Sequence, residues 1–329
     1  LYLRNERAWM QIENKQFPYI LVFIGASIVS SIIPFWLNSN SINHNNILDA
    51  WNCGPSINES NVTQAQYLAH LGYNLCLISK NEVPLRKLSA KLSSETGRQV
   101  IPIVCDLSDH KAVEKLIPSV KSSVPSLETL INNAAIHGPI GKVWENNWKL
   151  WQEVIQVNLL APVFLCRACI PLMQETGGSI INISGGGATS PRPNFSAYAT
   201  AKAGLVRFSE TLAAEVNHFG IRVNCIAPGP MKTALLSEIV EQGENASGQK
   251  EFDLAEKVLK NGDSDMSHVA DLVFFLISEH GSKVTGKLIS AVWDDWKMWP
   301  HHLDELNFSD VYTLRRITGR DRGFDWGDK

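Results

Sequence analysis

The stretch VIPIVCDLSDHKAVEKLIPSVKSSVPSLETLINN, residues 100–133, holds a charged, amphipathic segment between two short β-rich runs, at residues 100–105 and 127–132. This order predicts a strand, a helix and a second strand parallel to the first. Further β-rich runs at residues 74–79, 179–184 and 221–227 alternate with helical segments in the same way. We therefore predict the α/β fold class, with a doubly wound parallel sheet in one main domain over residues 46–295. A ligand site is expected beyond the carboxyl ends of the strands.

The composition of the chain excludes some partners. Its 329 residues include 30 Lys and Arg against 33 Asp and Glu, which leaves a net charge of −3. Such a balance provides no basic surface for nucleic acid, so no nucleic-acid partner is expected. The hydrophobic share of 44% is typical of a globular protein and argues against a mostly disordered chain.

The cysteines are scattered, and Cys76, Cys105 and Cys225 lie in apolar runs. This usage is typical of buried free thiols in a reducing intracellular compartment. Cys166 and Cys169 form a C-x-x-C pattern in a segment that we interpret as helical, where a spacing of three residues suits packing as well as redox or metal chemistry. We expect packing and predict no metal site, because no second Cys or His cluster would complete one.

Residues 17–37, FPYILVFIGASIVSSIIPFWL, carry no charge over 21 positions. As a helix, this segment would be long enough to cross a membrane. The alternative is a buried strand followed by an apolar insertion, and hydropathy alone does not separate the two. We assign residues 1–45 to an N-terminal extension that would be membrane-associated if this segment spans. Residues 296–329 form a Trp-rich C-terminal tail, whose tryptophans would anchor it on the core or on a neighbouring subunit.

The chemistry concentrates on the segment SAYATAKAG, residues 196–204. Tyr198 and Lys202 are four residues apart, so both side chains project from one face of a helix. A tyrosine hydroxyl normally loses its proton near pH 10, and an ammonium beside it favours the phenolate and lowers that pKa. Such a pair can exchange a proton with a carbonyl oxygen.

Several motifs accompany this pair in order. Asn132-Asn133-Ala134-Ala135 ends one β-rich run, Asp106 follows another, and Asn158 lies in a long predicted helix. VNCIAPG, residues 223–229, leads to Thr233. In this order and spacing, residues 60–292 resemble the short-chain dehydrogenase/reductase family, in its short single-domain subgroup. The resemblance implies a Rossmann-like fold and hydride transfer between a nicotinamide cofactor and a carbonyl or alcohol carbon.

The resemblance also implies roles for individual residues. Tyr198 would be the acid/base at the substrate oxygen, Lys202 would lower its pKa and bind the nicotinamide ribose, and Asn158 would hold a water that links Lys202 to solvent. The remaining cofactor contacts would be Asp106, Leu107, Asn132 and Ala134 on the adenosine side, and Pro228, Gly229 and Thr233 at the nicotinamide end. Taken alone, Asn158 would be interpreted as a helix-interior side chain bonded to the backbone, and Asp106 as a helix N-cap. Residues 136–151 and 230–264 are expected to overhang the nicotinamide.

Ala135 replaces the glycine of the family's usual Asn-Asn-Ala-Gly motif, a mild change, and two further family features differ in this chain. The family places its catalytic serine 13 residues before the tyrosine, where this chain has Gly185. Ser184 is one residue earlier and would serve if the following loop is shifted by one, and otherwise the hydroxyl that orients the carbonyl is missing.

The glycine-rich phosphate loop is the second difference. CGPSINESN, residues 53–61, keeps one glycine and directly precedes a helical segment, so we predict Gly54 and Ser56 as its cofactor contacts. Gly25, after the β-rich run ILVFI, is the other candidate. A loop that no longer binds phosphate is the alternative interpretation.

Lys80 follows the β-rich run at 74–79, and no acidic residue ends that run. A positive charge there suits the 2′-phosphate of NADP, whereas an acidic residue would suit the ribose hydroxyl of NAD. We predict NADP as the cofactor, with NAD as the alternative. A solvated surface lysine is the other interpretation of Lys80.

Two functions remain open. The first is an NAD(P)-dependent oxidoreductase that acts on a small carbonyl or alcohol substrate, which Tyr198, Lys202 and Asn158 favour. The second is a catalytically weak or inactive relative that serves as a structural subunit of a larger, membrane-attached complex, which Gly185 and the altered loop favour. The resemblance also implies a homo-oligomer formed through helices around residues 147–174 and 197–219.

Overall fold

The computed structural model describes residues 19–23, 64–124, 126–261 and 267–326. The strands are β1 Tyr19–Phe23, β2 Asn74–Ser79, β3 Val100–Val104, β4 Leu127–Asn132, β5 Gly178–Ile183, β6 Ile221–Ala227 and β7 Leu288–Ser290. The helices are α1 Gln64–His70, α2 Glu82–Thr96, α3 His110–Ser123, α4 Trp148–Ile155, α5 Ala161–Cys169, α6 Ser196–Val216, α7 Ala234–Gln242, α8 Glu244–Ser247, α9 Gln249–Asn261, α10 Ser267–Ile277 and α11 Leu303–Asn307. A π-helical turn, Gln156–Leu160, joins α4 to α5.

The strands form one parallel sheet in the order β3-β2-β1-β4-β5-β6-β7. The chain reverses its direction of winding between β1 and β4, and ligands of such sheets bind beyond the carboxyl ends of the strands at that point. On one face, β1 and β2 pack with α1, α2 and α10, and on the other, β4 and β5 pack with α3, α5 and α6. The predicted doubly wound α/β fold is confirmed, and β7 is a strand that the sequence did not predict.

The apolar N-terminal segment contributes a strand to the centre of this sheet. β1 pairs with β2 on one side and with β4 on the other, so that Phe23 lies beside both Ile78 and Asn132. Ile20 and Val22 are buried in the core. The predicted alternative of a membrane-spanning helix over residues 17–37 is therefore wrong for Tyr19–Phe23. These residues are extended and pair with a strand on each side. The predicted start of the domain at residue 46 has to be moved to include β1.

The C-terminal boundary is also corrected. Trp296 and Trp299 are buried in the same apolar core as β1 and α10, and the ring centre of Trp296 lies 5.4 Å from that of Phe275. The amide of Leu288 in β7 donates a 2.8 Å hydrogen bond to the carbonyl of Tyr312. Part of the predicted separate tail, 296–329, is thus packed into the domain, whereas Trp293 and Trp326 are exposed.

Within the described residues, one helical run is long and apolar enough to span a membrane, Trp148–Leu172. It comprises α4, the π-helical turn, α5 and a 3₁₀ turn, Ile170–Leu172. About half of its strongest window is buried, since α4 packs on α6 and α5 packs on β4. Core packing therefore accounts for the apolar residues on the buried side of this run. Cys166 and Cys169 on α5 are free and buried, in accordance with the packing interpretation of the C-x-x-C pattern.

Candidate active site

Tyr198 and Lys202 occupy the first two turns of α6. Tyr198 is 6% exposed and Lys202 is 1% exposed. The Lys202 Nζ donates a 2.7 Å hydrogen bond to the carbonyl of Ile183, the last residue of β5, and lies 5.7 Å from the centre of the Tyr198 ring. The four-residue spacing thus places both groups on one buried face of α6, at the carboxyl end of β5.

Burial shifts the pKa of each group in the direction that favours its neutral form. It lowers the pKa of Lys202 to about 8. Burial also raises the pKa of Tyr198, and the positive charge of Arg192 opposes this only in part. The net shift of the Tyr198 pKa is therefore upward, opposite to the direction expected from the nearby Lys202. The physical reason is that the free-energy cost of removing a phenolate from water exceeds the stabilisation that the charge of Arg192 provides.

Gly185, and not Ser184, faces the tyrosine. A Cβ atom at Gly185 would overlap the Tyr198 hydroxyl and lie 3.1 Å from its ring carbon Cζ. The amide of Ser184 extends the β5–β6 ladder with a 2.7 Å hydrogen bond to the carbonyl of Ile226. Its buried Oγ has no hydrogen-bond partner among the described residues. Because successive residues of an extended chain point to opposite sides, Ser184 cannot take the role predicted for it without a rearrangement of this loop.

Two charged or titratable side chains beside Tyr198 were not predicted. His137, which follows β4 and is 5% exposed, sets the edge of its ring against Tyr198, with the ring centres 5.0 Å apart. The guanidinium carbon of Arg192 lies 5.4 Å from the centre of the Tyr198 ring and 4.0 Å from that of Phe195. Both residues are in loops without periodicity, so no sequence signal separated them from ordinary surface residues.

Each of these side chains faces a carboxylate. The Arg192 Nη2 lies 2.8 Å from the Glu251 Oε2, and the His137 Nδ1 lies 3.5 Å from the Glu238 Oε2. Burial lowers the pKa of His137, and although Glu238 opposes this shift, the net direction stays downward. His137 is thus a neutral imidazole at neutral pH, while Arg192 keeps its charge.

Asn158 makes the contacts expected of a helix-interior side chain. Its Oδ1 accepts a 2.9 Å hydrogen bond from the amide of Ile136, and its Nδ2 donates a 2.7 Å bond to the carbonyl of the same residue. These two bonds connect the π-helical turn to the loop that carries His137. The water-holding role implied by the family resemblance stays a prediction.

Asn132 points into the sheet. Its Nδ2 donates a 2.8 Å hydrogen bond to the Asn182 Oδ1 on β5, and the Asn182 Nδ2 donates one of the same length to the Ser209 Oγ on α6. The side chain of Asn132 is buried, and the predicted contact of this residue on the adenosine side of the cofactor stays a prediction. These buried hydrogen bonds connect β4, β5 and α6, and no role was predicted for Asn182 or Ser209.

The predicted adenosine side lies at the ends of β2 and β3. Lys80 is exposed directly after β2, and Asp106 lies two residues after β3. Burial raises the pKa of Asp106, but hydrogen bonds from Ser108 and the charge of Lys80 outweigh it, so the net shift is downward. The N-cap of α3 is Asp109, whose side chain accepts from the amide of Lys111, so the N-cap interpretation of Asp106 is wrong.

Two other predicted residues on this side, Leu107 and Ala134, are half-buried. Both pack against the core on the α3 and α5 face. Their contact with a cofactor stays a prediction.

The predicted nicotinamide end follows β6. Pro228 comes directly after the strand, and Gly229 has φ +79°, a conformation that favours glycine. A Cβ at Gly229 would also lie 2.9 Å from the Val292 Cγ2. Thr233 is the residue before α7, and its Oγ1 donates a 3.4 Å hydrogen bond to the carbonyl of Met231.

Both segments expected to overhang the nicotinamide contribute to an apolar cluster around Tyr198. The cluster also contains Phe195, and its other members come from the loop after β4 and from α7 and α9: Ala135, Ile140, Leu236, Ile239, Val240 and Ala255. The site therefore combines the Tyr198–Lys202 pair, the Arg192 guanidinium and an apolar wall.

Comparison with known proteins agrees with this arrangement. A family model described as enoyl-(acyl carrier protein) reductase matches residues 62–291. A short chain dehydrogenase/reductase of Aspergillus oryzae, astE, is 32% identical over 226 residues, which cover 68% of this chain and 85% of that relative. The chain belongs to the short-chain dehydrogenase/reductase family. Members of this family are NAD(P)-dependent oxidoreductases, and the predicted family resemblance is confirmed.

Solved structures of short-chain dehydrogenases/reductases share the fold. YwfH, described as an NADPH-dependent reductase involved in bacilysin biosynthesis, superposes with a TM-score of 0.65 at 21% identity and covers 84% of this chain and 97% of its own. An NAD⁺-bound xylitol dehydrogenase superposes with a TM-score of 0.62 at 24% identity and covers 69% of this chain and 91% of its own. At these identities the likeness is one of fold.

The family's glycine-rich loop lies outside the described residues in this chain, and so do the predicted contacts Gly54 and Ser56. β1 ends at Phe23, beside Asn132 of β4. Gly25, the other candidate, comes two residues after this strand end.

Proposed function

We propose that the protein is an NADP-linked oxidoreductase that moves a hydride between the nicotinamide and a carbonyl or alcohol carbon of a small substrate. The observation that carries this proposal is the buried pair of Tyr198 and Lys202 at the carboxyl end of β5. In this position, a hydroxyl and an ammonium lie next to the edge of the sheet where ligands of doubly wound folds bind.

The cofactor residues support NADP. Lys80 is exposed after β2, and its charge acts on the neighbouring Asp106. A cation there can pair with a 2′-phosphate. Gly229, with φ +79°, lies after β6 at the predicted nicotinamide end of the site. Of the two proteins of similar fold, YwfH is an NADPH-dependent reductase and the xylitol dehydrogenase is bound to NAD⁺, so NAD is the alternative.

The phosphate loop is proposed to follow β1. Pyrophosphate binds at the turn after the first strand of this fold, between the strands where the winding reverses. Since β1 lies between β2 and β4, the residues that follow Phe23 in the sequence, Gly25 among them, are the ones we propose for phosphate binding. This placement supports Gly25 over the predicted Gly54 as the first glycine of the loop.

Tyr198 acts as the proton donor and acceptor in the proposed reaction. When bound, NADPH supplies the hydride for the substrate carbon. The Tyr198 hydroxyl gives its proton to the substrate oxygen, so a ketone or aldehyde becomes an alcohol and a phenolate remains. Lys202 stabilises that phenolate by its charge. Because the pKa of Tyr198 is raised, its hydroxyl carries the proton at neutral pH that it would donate in the reductive direction.

Two measurements test the proposal. Titration of the protein with NADPH and NADH, followed by the fluorescence of the reduced nicotinamide, should show saturable binding below millimolar concentration. With a substrate found in a panel of ketones and aldehydes, Tyr198→Phe should lower kcat by about 10²–10⁴ and leave NADPH affinity unchanged. Tyr73→Phe, at a half-buried tyrosine before β2, is the matched control and should keep full activity. Unaltered turnover in Tyr198→Phe would contradict the mechanism.

One observation supports the second function, an inactive relative that acts as a subunit of an assembly. Gly185 leaves Tyr198 without the serine hydroxyl that the family resemblance implies. No binding of either dinucleotide at millimolar concentration would favour this function over the first.

A further inference from the structure

Arg192 lies against Tyr198 from the loop that joins β5 to α6. Its guanidinium carbon is 4.0 Å from the centre of the Phe195 ring, a distance that is typical of cation–π stacking, and 5.4 Å from the centre of the Tyr198 ring. The Arg192 side chain is 13% exposed, and its Nη2 lies 2.8 Å from the Glu251 Oε2 on α9. Packing and the ion pair together hold this cation over the tyrosine.

The three glycines Gly185–Gly187 make room for this arrangement. A Cβ at Gly185 would overlap the Tyr198 hydroxyl. Gly187 has φ +90°, and a Cβ there would lie 2.7 Å from the Ala199 Cβ and 3.1 Å from the Arg192 Cβ. Gly186 faces the end of the Arg192 side chain: a Cβ added at Gly186 would lie 3.7 Å from the Arg192 Cζ. This glycine run, in which the family's serine is missing, therefore leaves room for the Arg192 side chain beside Tyr198.

The charged and titratable groups around Tyr198 come from several elements. His137 contacts its ring from the loop after β4, and Lys202 lies on α6 itself. Glu238 on α7 faces His137, and Glu251 on α9 faces Arg192. His137 is neutral at neutral pH because burial lowers its pKa, so the cations near Tyr198 are Arg192 and Lys202.

We propose that Arg192 is a positioning residue that holds the Tyr198 ring and stabilises its phenolate form, at the place where the family's serine hydroxyl is missing. Its importance for turnover rests on the proposed function, in which Tyr198 gives its proton to the substrate oxygen. The ion pair with Glu251 sets how much of the Arg192 charge acts on the tyrosine. Arg192 also lowers the pKa of Tyr198 against the larger effect of burial.

Direct titration of Tyr198 tests the proposal. The protein is prepared with 3,5-difluorotyrosine in place of tyrosine, because ring fluorines lower the pKa of every tyrosine into an accessible range. The ¹⁹F signal of residue 198 is identified by its loss in Tyr198→Phe. From the distance, a cation at Arg192 should shift the pKa by about one unit.

The variants should shift this pKa in opposite directions. Arg192→Met should raise the pKa of residue 198 by about one unit, and Arg192→Lys should restore about half of that shift or more. Glu251→Gln should lower the pKa, because it removes the anion that partly cancels the arginine. The control is Arg86→Met on α2, where Arg86 forms an ion pair of the same 2.8 Å length with Glu82. It should leave the pKa of residue 198 unchanged.

An unchanged pKa in Arg192→Met, with a native circular dichroism spectrum, would overturn the proposal. So would an equal shift in Arg86→Met. If Arg192→Met does not fold, Glu251→Gln decides, since a pKa that fails to fall in that variant excludes an effective arginine charge. The titration uses neither cofactor nor substrate, so its outcome is independent of whether the oxidoreductase function itself is correct.

Discussion

Lys202 is a buried lysine whose ammonium group has lost its contact with water, and a hydrogen bond to the protein replaces that contact only in part. Its Nζ donates one hydrogen bond, to the carbonyl of Ile183, in a site with 1% exposure. Burial lowers its pKa from 10.5 to about 8. Below pH 8 both the folded and the unfolded chains carry this proton, and the cost of burying the charge is then largest. Between the two pKa values the unfolded chain binds more protons, so stability should rise with pH.

Lys202→Met should remove this pH dependence. Relative to the variant, the free energy of unfolding of the wild type should increase by about 2 kcal/mol between about pH 7.5 and about pH 9.5. Urea unfolding at both pH values measures the difference. Lys115→Met, at an exposed lysine on α3, is the control and should show no such change. A difference between wild type and Lys202→Met that is independent of pH would show that the buried ammonium does not titrate in this range.

Lys80 is expected to distinguish the two cofactors. Lys80→Glu should weaken NADPH binding by about tenfold or more, because a charged contact to the 2′-phosphate is replaced by repulsion. NADH affinity should not fall, since NADH lacks that phosphate. Lys87→Glu, at an exposed position on α2, makes the same charge change away from the strand end. If nicotinamide fluorescence shows that Lys80→Glu lowers the affinity for both dinucleotides equally, Lys80 does not recognise the 2′-phosphate.

At the scale of the element, the π-helical turn between α4 and α5 does more than connect two helices. Asn158 lies within this turn and is fully buried, and its side chain forms two hydrogen bonds with the backbone of Ile136. π-Helical turns are rare and occur frequently at functional sites. Here the turn fixes the loop that places His137 against Tyr198.

Asn158→Ala should release this loop. Loss of two buried hydrogen bonds should lower the free energy of unfolding by about 3 kcal/mol. The amide of Ile136 should also exchange its hydrogen much faster, which mass spectrometry of peptides from residues 134–138 measures. Asn217→Ala, at an exposed asparagine after α6, is the control. Unchanged exchange in this peptide would mean that other contacts hold the loop.

For the whole molecule, the exposed apolar surface of the α4–α5 run indicates a subunit contact. Trp148 is 64% exposed and stacks on Trp151, with ring centres 5.1 Å apart. Both rings line a surface groove together with Gln152, Gln156 and Leu160. Exposed apolar patches of this kind are typical of interaction sites. The family resemblance implies oligomers formed through this helix and α6, so we propose that a second copy of the chain covers the groove.

Trp148→Arg should therefore convert the oligomer to monomers, because burial of the new charge against a partner is costly. Light scattering coupled to size-exclusion chromatography measures the mass. Val83→Arg, at an exposed apolar residue on α2, is the matched control and should keep the oligomer. A monomeric wild type would contradict the proposed oligomer. A variant of unchanged mass would show that Trp148 does not lie in the contact.

The sequence by itself determined the alternation of strands and helices. Three of the predicted β-rich runs coincide with β2, β4 and β6 in full, because these strands are apolar runs bounded by polar turns. It also determined the pairing of Tyr198 with Lys202, since a four-residue spacing on a helix is a local relation. Patterns of this kind depend on backbone periodicity, which neighbouring residues set.

Only the tertiary structure decided the rest. Whether Tyr19–Phe23 is a central strand depends on its pairing with residues some 50 to 110 positions away in the sequence. The side that Gly185 faces, the inward direction of Asn132 and the approach of Arg192 to Tyr198 likewise follow from how separate elements pack. The direction of the Tyr198 pKa shift has the same origin. Spacing along the helix brings an ammonium near, but burial raises the pKa against the charge of Arg192, and that burial is produced by residues from across the chain.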